Sequence, residues 1–240
     1  MKSYRASSGP FDKRLHFSPS EIDTMCRDAL AKAKLLPSEP EAIRIDRFVE
    51  KHFNCEIAYD DLGAGVLGCT VFNGNGSIKV VIISSLIEDG SPGAERRLRS
   101  TIAHEGGHCL MHPSLFMDSL DQGKLGFTAT QRENIYFKER RILCRDNDVK
   151  EGVTQRGHDG RWWEWQANRA IGGLLLPTDL VKKSVATYLQ YSTVTGSPDL
   201  PFAVRREAEV SVANIFGVNP VVAKIRLTEL FPEASGQMSF

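Results

Sequence analysis

The sequence has no excess of charge of either sign and no long apolar run. Its 240 residues include 30 basic and 30 acidic side chains, and this balance gives no overall attraction to nucleic acid or to an anionic membrane. No stretch approaches the roughly 18 consecutive apolar residues of a membrane span. The N-terminal sequence MKSYRASSGPFDKRLHFSPS is polar and lacks the apolar core of a signal peptide. We therefore expect a protein that does not enter a membrane.

Paired cysteines are also lacking. The five cysteines are scattered along the chain and none belongs to a CxxC pair, which argues against a disulfide framework and against a four-cysteine zinc knuckle. We expect a cytoplasmic protein whose thiols are reduced. Because 41% of its residues are hydrophobic, the chain can bury a substantial core.

Two helices are predicted after a polar, loosely packed tail at residues 1–17. Ser18 and Glu21 have the spacing of a capping box, in which each side chain bonds a free backbone N–H at the start of a helix. Ser38 and Glu41 repeat this spacing, so a second helix is expected to begin there.

A small sheet is predicted in the first half of the chain. The runs EIAY, LGCTVF and IKVVIIS are rich in β-branched and aromatic residues, and NGNG between the last two is typical of a hairpin turn. One further strand is predicted in NIYFKERRILCR, because its apolar and polar residues alternate.

Helices are predicted again after the sheet. Ser91-Pro92 is a favourable start for a helix that carries the sequence TIAHEGGHCLMH. The run RWWEWQANRAIGGLLL is apolar almost all round, which predicts a buried helix ending at Pro177, and about three helices are expected to follow it. The expected fold class is α+β, with a small mixed or antiparallel sheet packed on the TIAHEGGHCLMH helix and a C-terminal helical part.

His104, Glu105 and His108 form an HExxH pattern on the predicted helix. His104 and His108 lie one turn apart on one face, with Cβ atoms about 5–6 Å apart, so both imidazoles can bind one Zn²⁺. Glu105 is turned about 100° away, where it can reach a water at the metal without binding the metal itself. In HExxH hydrolases the metal lowers the pKa of that water and the glutamate accepts its proton.

Three other residues of this helix refine the interpretation. Gly106 and Gly107 each destabilise a helix interior by about 1 kcal/mol relative to alanine, which indicates a close neighbour on that side. His112 lies on the same face as His104, but eight residues of helix correspond to a rise of about 12 Å. We therefore expect His112 to cap the helix or to support a ligand, and not to bind the metal.

Glu164 is the strongest candidate for a third ligand. Catalytic zinc usually has three protein ligands and one open position. Glu164 lies among tryptophans on the predicted buried helix, where an ionised carboxylate is unfavourable unless a cation such as zinc compensates its charge. Asn168, one turn later, can hydrogen-bond a ligand. The alternative is an ion pair between Glu164 and Arg161.

Three stretches in this order resemble the ImmA/IrrE metallopeptidases, namely AHEGGHCLMH, EWQANRAIGGLLLP and VANIFGVNPVVAKIRL. The resemblance covers roughly residues 38–230. It implies a gluzincin-type site in which a later helix supplies a glutamate ligand, followed by a C-terminal helical part. The residues it assigns are the Zn²⁺ ligands His104, His108 and Glu164 and the catalytic base Glu105.

The resemblance also implies a domain division and a function. Residues 1–17 are then a polar tail, 18–178 a zincin-like metallopeptidase domain, and 179–240 a C-terminal helical subdomain with a helix-turn-helix-like hairpin. Known members are cytoplasmic peptidases that cut a helix-turn-helix repressor, so a protein of this kind is the expected partner and relief of repression in a stress or mobile-element response the expected function. The chain departs from the family at Gly106, where a large apolar residue is usual, and in the long polar stretch 113–160.

Three alternatives stay open. A peptide deformylase would take its third ligand from a cysteine on an upstream strand, a position that Cys69 has. The C-terminal sequence also has the pattern of a helix-turn-helix, but apolar residues at 220–223 favour packing over DNA contact and leave only Lys224 and Arg226 as basic residues of the second helix. The third alternative is a regulator that keeps zinc and binds a repressor or DNA without cleaving, which the intact Glu105 disfavours.

The sequence identifies no group that would stabilise the oxyanion of the reaction. Candidates on side-chain chemistry alone are Tyr136, His158 and Tyr188.

Overall fold

The chain folds around a five-stranded sheet with a long helix packed on one face. The structure is a computed structural model and describes residues 2–5, 11, 13–87, 91–117, 135–136, 141–145, 161–191 and 196–232. The α-helices of these residues are α1 (Pro19–Lys32), α2 (Ile45–Phe53), α3 (Pro92–Met111), α4 (Trp162–Leu175), α5 (Thr178–Ser184), α6 (Phe202–Phe216) and α7 (Pro220–Leu230). The predicted α+β fold class is confirmed.

The central sheet is mixed. The strands of the described residues are β1 (Lys2–Arg5), β2 (Lys13–His16), β3 (Glu56–Asp60), β4 (Val66–Phe72), β5 (Ile78–Ser84), β6 (Ile135–Tyr136), β7 (Arg141–Arg145), β8 (Gln190–Tyr191) and β9 (Pro198–Asp199). The central sheet has the order β3-β5-β4-β7-β6, and β1-β2 and β8-β9 are separate hairpins. In the central sheet β3 and β5 are parallel, and the other pairs are antiparallel.

The predicted strands are present, with one difference. The runs EIAY, LGCTVF and IKVVIIS form β3, β4 and β5, and a backbone hydrogen bond of 2.8 Å from Asn73 N–H to the Ser77 carbonyl closes the hairpin at NGNG. The stretch predicted as one further strand contains two, β6 and β7, which pair antiparallel with Ile135 opposite Ile142. Alternation of apolar and polar residues does not show where a chain turns back, so the prediction of a single strand was wrong.

One face of β4 and β7 is directed at α3. Gly68 of β4 lies opposite Cys144 of β7, and Thr70 lies opposite Ile142. Because successive residues of a strand point to opposite faces, these four residues share a face. Thr70 contacts Glu105 of α3, so this is the face on which the HExxH helix packs.

The predicted polar tail at residues 1–17 is a packed segment where the structure describes it. Its strands β1 and β2 form a hairpin, and Phe11, Leu15 and Phe17 are buried in the main hydrophobic core. The ring of Phe11 packs against the two tryptophan rings that begin α4. The expectation of loose packing was wrong because these apolar residues are isolated among polar ones and find their partners far along the chain.

The capping-box pattern predicts α1 and fails for α2. The Glu21 N–H donates to the Ser18 hydroxyl at 3.3 Å, and the Ser18 N–H donates to the Glu21 carboxylate at 2.8 Å, which completes the box. No helix begins at Ser38 and Glu41. The second helix, α2, starts later and has no side-chain cap. Lys183 instead binds the Ser38 carbonyl, a long-range contact that the local pattern does not contain.

The C-terminal helices α6 and α7 meet at the predicted turn. α6 ends at Phe216, and Gly217 follows with φ 62°, a left-handed conformation that suits glycine. Asn219 then precedes α7. Within the described part of the chain, no single helix is long and apolar enough to cross a membrane, and α6 with α7 meets that criterion only as a pair bent by 117°.

The side chain of Arg226 connects α7 to other helices through hydrogen bonds. Its side chain is 1% exposed. Its Nε donates to the Leu176 carbonyl just after α4, and its two terminal nitrogens donate to Asp23 of α1 and Thr178 of α5, each at 3.0 Å. The C-terminal helical part is therefore packed against α1, α5 and the end of α4.

Candidate metal centre

Helices α3 and α4 approach closely at the two glycines of the HExxH stretch. A Cβ added to Gly107 would lie only 2.8 Å from the Cβ of Ala170, and one added to Gly106 would lie 3.3 Å from Cδ1 of Leu174. The close neighbour predicted from the two glycines is thus confirmed. This packing brings the histidines of α3 within reach of Glu164 in the first turn of α4.

Three potential ligand atoms converge at this contact. Nε2 of His104 and Nε2 of His108 are 3.0 Å apart, and Oε2 of Glu164 lies 3.2 Å from the first and 3.6 Å from the second. Both histidines are fully buried and Glu164 is 4% exposed. The structure therefore brings the three predicted ligands into one buried group that is compatible with a metal ion.

The two oxygens of Glu164 are not satisfied by hydrogen bonds within this group. Neither carboxylate oxygen of Glu164 has a hydrogen-bond partner among the described residues, although buried polar groups are normally paired. The contacts between Glu164 and the histidines are within ion-pair distance but outside hydrogen-bond geometry. A cation between two ring nitrogens and a carboxylate would compensate all three, so the donor set fits a metal ion such as zinc.

The pKa of Glu164 favours its ionised form. Burial raises the pKa of this carboxyl, but His108 and His104 together lower it by more, so the pKa lies below its ordinary value. The ionised carboxylate is the form that binds metals. The ion pairs of Glu164 are formed with the two histidines. Arg161, which the sequence offered as an alternative partner, lies just before α4 at its N-cap position.

Asn168 fixes the tautomer of His104. Its Oδ1 lies 2.9 Å from Nδ1 of His104. A carbonyl oxygen can only accept, so His104 keeps a proton on Nδ1 and directs Nε2 at the group. This is the contact that the sequence predicts for Asn168. Burial lowers the pKa of His104, but Cys144 and Glu164 raise it by more, so the pKa lies well above its ordinary value. A metal ion would therefore displace a proton from Nε2 when it binds.

His112 supports His108 through a chain of hydrogen bonds. Gln166 donates from Nε2 to the Leu15 carbonyl at 2.8 Å and accepts at Oε1 from His112 Nε2 at 3.0 Å. Burial lowers the pKa of His112 to about 3, so its ring is neutral and its Nδ1 accepts. That acceptor lies 2.9 Å from Nδ1 of His108, which leaves the Nε2 of His108 unprotonated. As the sequence predicts, His112 is placed behind a ligand, at the end of α3.

Glu105 is held against the sheet. Thr70 Oγ1 donates to its Oε2 at 2.5 Å. Gly68 makes room for its Oε1, because a Cβ at Gly68 would lie 2.6 Å from that atom. Oε1 has no hydrogen-bond partner in the described part of the chain. Burial raises the pKa of Glu105 to about 7, against the opposing effects of His104 and Thr70, and a pKa near neutrality suits a group that accepts and returns a proton.

Cys144 is a residue of the site that the sequence does not identify. Its Sγ lies in a second group of potential ligands with His104 and Glu105, whose ligand atoms are all within 4.8 Å of one another. Burial raises the pKa of this thiol to about 12. Cys69, the cysteine of the deformylase alternative, belongs to neither group of the described residues and packs in a small apolar cluster.

The sequence also does not identify three further residues of the site, Thr70, Gly68 and Gln166. Each of them acts on a residue far along the chain, and no local spacing marks that contact. The predicted strand at β4 would place Thr70 and Gly68 on one face, but which helix covers that face depends on the fold.

The oxyanion candidates are only partly described. The hydroxyl of Tyr188 donates to Glu207 at 3.4 Å. His158 and the side chain of Tyr136 lie outside the described residues, as does most of the polar stretch 113–160.

No protein-family model matches the chain, and no curated protein matches it. The chemistry of the site is therefore inferred from its own residues.

Proposed function

We propose that the protein is a zinc-dependent endopeptidase that hydrolyses a peptide bond in a protein substrate. The observation that carries this proposal is the convergence of His104, His108 and Glu164 in one buried group, with Glu105 adjacent in sequence. These three residues would hold zinc and leave one of its four usual coordination positions open, as in catalytic rather than structural sites.

The residues around the group have separate roles in this proposal. Zinc, when bound, supplies the Lewis acidity that lowers the pKa of a water and polarises a substrate carbonyl. Glu105 accepts the proton of the attacking water at Oε1 and delivers it to the leaving amine. Thr70 holds Oε2, so that Oε1 is the reacting atom. Asn168 and His112 bind Nδ1 of the two imidazoles and so keep their Nε2 atoms directed at the metal.

We propose a helix-turn-helix transcriptional repressor as the substrate, and relief of repression in a stress or mobile-element response as the outcome. This part rests on the resemblance of three motifs to the ImmA/IrrE metallopeptidases, whose known members act on such repressors in the cytoplasm. The burial of Arg226 supports a protein partner over DNA, because it removes from the surface one of the two basic side chains of α7, leaving Lys224.

Incubation with the cognate repressor tests the proposal. The zinc-loaded protein should produce repressor fragments, a chelator should prevent this, and Glu105→Gln should retain zinc but lower the cleavage rate by about 10²- to 10⁴-fold. Elemental analysis should find one zinc per chain in the wild type. Full zinc occupancy in a His104→Ala, Glu164→Ala double variant would contradict the assignment of the ligands.

One observation favours a second candidate, a zinc-containing regulator that binds a repressor without cleaving it. His104, Glu105 and His108 are 0% exposed and Glu164 is 4% exposed, whereas hydrolysis requires a peptide to reach them. If the wild type releases the repressor from its operator without fragments, and Glu105→Gln does so equally well, the protein acts by binding.

A further inference from the structure

The pairing of β4 with β7 places a thiol beside Glu105. Gly68 lies directly opposite Cys144, and residues directly opposite in antiparallel strands have Cβ positions about 4.5–5.5 Å apart on the same face. Oε1 of Glu105 occupies the space that a side chain at Gly68 would fill. The side chain of Cys144 therefore stands next to this carboxylate, between the sheet and α3.

The thiol of Cys144 lies beside the proposed metal centre, and the two share His104. Sγ of Cys144, a ring nitrogen of His104 and a carboxylate oxygen of Glu105 lie within 4.8 Å of one another, and all three residues are buried. His104 also belongs to the group with His108 and Glu164. His104 thus connects the thiol of Cys144 to the group formed with His108 and Glu164.

A second, independent observation indicates that a ligand is lacking at this place. Oε1 of Glu105 and both oxygens of Glu164 are buried and have no hydrogen-bond partner among the described residues. Glu105 and Glu164 belong to the two groups that share His104. Because a buried carboxylate oxygen without a hydrogen-bond partner is unfavourable, a cation shared by the two groups would compensate both carboxylates.

We propose that Cys144 binds, as a thiolate, the metal held by His104, His108 and Glu164 and completes a set of four ligands. Thiolate, imidazole and carboxylate are the ordinary zinc ligands, and four is the usual number. Coordination removes the proton of the thiol, which passes to solvent. In the structure the thiol groups with His104 and Glu105, so its side chain would have to turn towards His108 and Glu164 to share their metal.

This inference rests on the metal site proposed above, and it adds a way in which the activity of that site is regulated. Four protein ligands leave no open position on a four-coordinate zinc. The closed set is then a resting form, and the peptidase acts only after the thiolate has left the metal. The full burial of the ligands and of Glu105 agrees with a centre that is closed at rest.

Substitution of cobalt for zinc tests the thiolate. A thiolate ligand gives Co²⁺ a sulfur-to-metal charge-transfer absorption in the near ultraviolet, which nitrogen and oxygen ligands do not give. The full-length protein with one bound Co²⁺ is compared with Cys144→Ser and with Cys69→Ser. Cys69 is a matched control, because it is also fully buried and lies on the neighbouring strand. We expect the absorption in the wild type and Cys69→Ser, and its loss in Cys144→Ser with cobalt still bound.

The other outcomes separate this inference from the proposed function. Cobalt bound without the absorption in the wild type overturns the thiolate ligand alone, and so does an absorption that persists in Cys144→Ser. A wild type that binds no cobalt, or that binds it equally well after His104→Ala and Glu164→Ala, overturns the metal site and the inference with it. If Cys144→Ser does not fold, Cys144→Ala replaces it, and the wild-type spectrum still shows whether a thiolate is bound.

Discussion

The side chains that orient the two imidazoles lie outside the HExxH motif itself. Asn168 sets the tautomer of His104 directly. For His108 the same result requires two intermediates, His112 and Gln166, of which Gln166 is anchored on a backbone carbonyl. A ligand whose tautomer and orientation are already fixed binds a metal more tightly, and such supporting residues typically account for about 10- to 100-fold in affinity.

Replacing Gln166 tests this chain of hydrogen bonds without changing the motif. Gln166→Leu removes the acceptor of His112, so the His112 ring is free to reverse its tautomer and no longer fixes His108. We expect zinc affinity to fall by about 10- to 100-fold, measured by competition with a chromophoric chelator. Gln190→Leu, on the exposed strand β8, is the matched control and should leave the affinity unchanged. Equal affinities in both variants would show that the chain does not support zinc binding.

The pKa of Glu105 predicts how the stability of the metal-free protein depends on pH. Burial raises this pKa from 4.5 to about 7 in the folded state. Between these values the folded state binds more protons than the unfolded state, so the free energy of unfolding falls as pH rises. Glu105→Gln removes this contribution. Relative to the wild type, the free energy of unfolding of the variant should therefore rise by about 2 kcal/mol between about pH 5 and about pH 7.5.

Urea denaturation at several pH values measures this difference. Glu95→Gln, an exposed glutamate on the same helix, should show no such gain. A difference between Glu105→Gln and the wild type that stays constant with pH would mean that burial does not raise the pKa of Glu105.

Among the secondary-structure elements, the contact between α3 and α4 determines whether the ligands can meet. Gly106 illustrates how little room there is: an added Cβ would lie 3.3 Å from Leu174 of α4 and 3.4 Å from Val49 of α2. This accounts for glycine at position 106. In this chain the neighbouring helices already fill the space.

Gly107→Ala should separate the two helices. The added Cβ would lie 2.8 Å from the Cβ of Ala170, and overpacking of this kind typically destabilises a protein by about 1–3 kcal/mol. The free energy of unfolding should fall accordingly, and zinc affinity should fall with it because Glu164 moves away from the histidines. Gly93→Ala is the control on the same helix, since its Cβ would meet nothing closer than 3.7 Å. Equal stability of both variants would show that the helices are not in close contact.

The elements were predictable to the extent that local chemistry encodes them. The capping box at Ser18, the NGNG turn and the helical spacing of His104 and His108 each act over a few residues, and the structure contains all three. The capping pattern at Ser38 wrongly predicted a helix start, because this segment makes a long-range contact with Lys183 instead. The candidate ligands followed from helical spacing and from one isolated carboxylate, whereas Cys144 follows only from the register of β4 on β7.

On the scale of the whole molecule, both ends of the described chain contact α4 or the segment that follows it. Leu15 near the N-terminus receives the hydrogen bond of Gln166, and Arg226 near the C-terminus binds the carbonyl of Leu176. Neither contact was predicted, because each joins residues far apart in sequence. The buried group of candidate metal ligands therefore depends on segments that the sequence presents as a polar tail and a helix-turn-helix-like hairpin.

The two basic residues of α7 distinguish packing from DNA binding. Arg226→Leu removes four hydrogen bonds and the ion-pair partner of Asp23. Loss of one partner of a largely buried ion pair typically destabilises by about 3–5 kcal/mol. Because Asp23 is partly exposed, we expect the lower end of that range in urea denaturation. Lys224→Leu, an exposed residue of the same helix, should change stability by less than about 0.5 kcal/mol.

Operator binding is measured on the same two variants. If α7 serves for packing, neither substitution changes affinity for operator DNA beyond the background of the wild type. If both variants are as stable as the wild type and both lose binding to operator DNA, then α7 is a recognition helix. In that case the C-terminal helices bind DNA, as in the helix-turn-helix alternative.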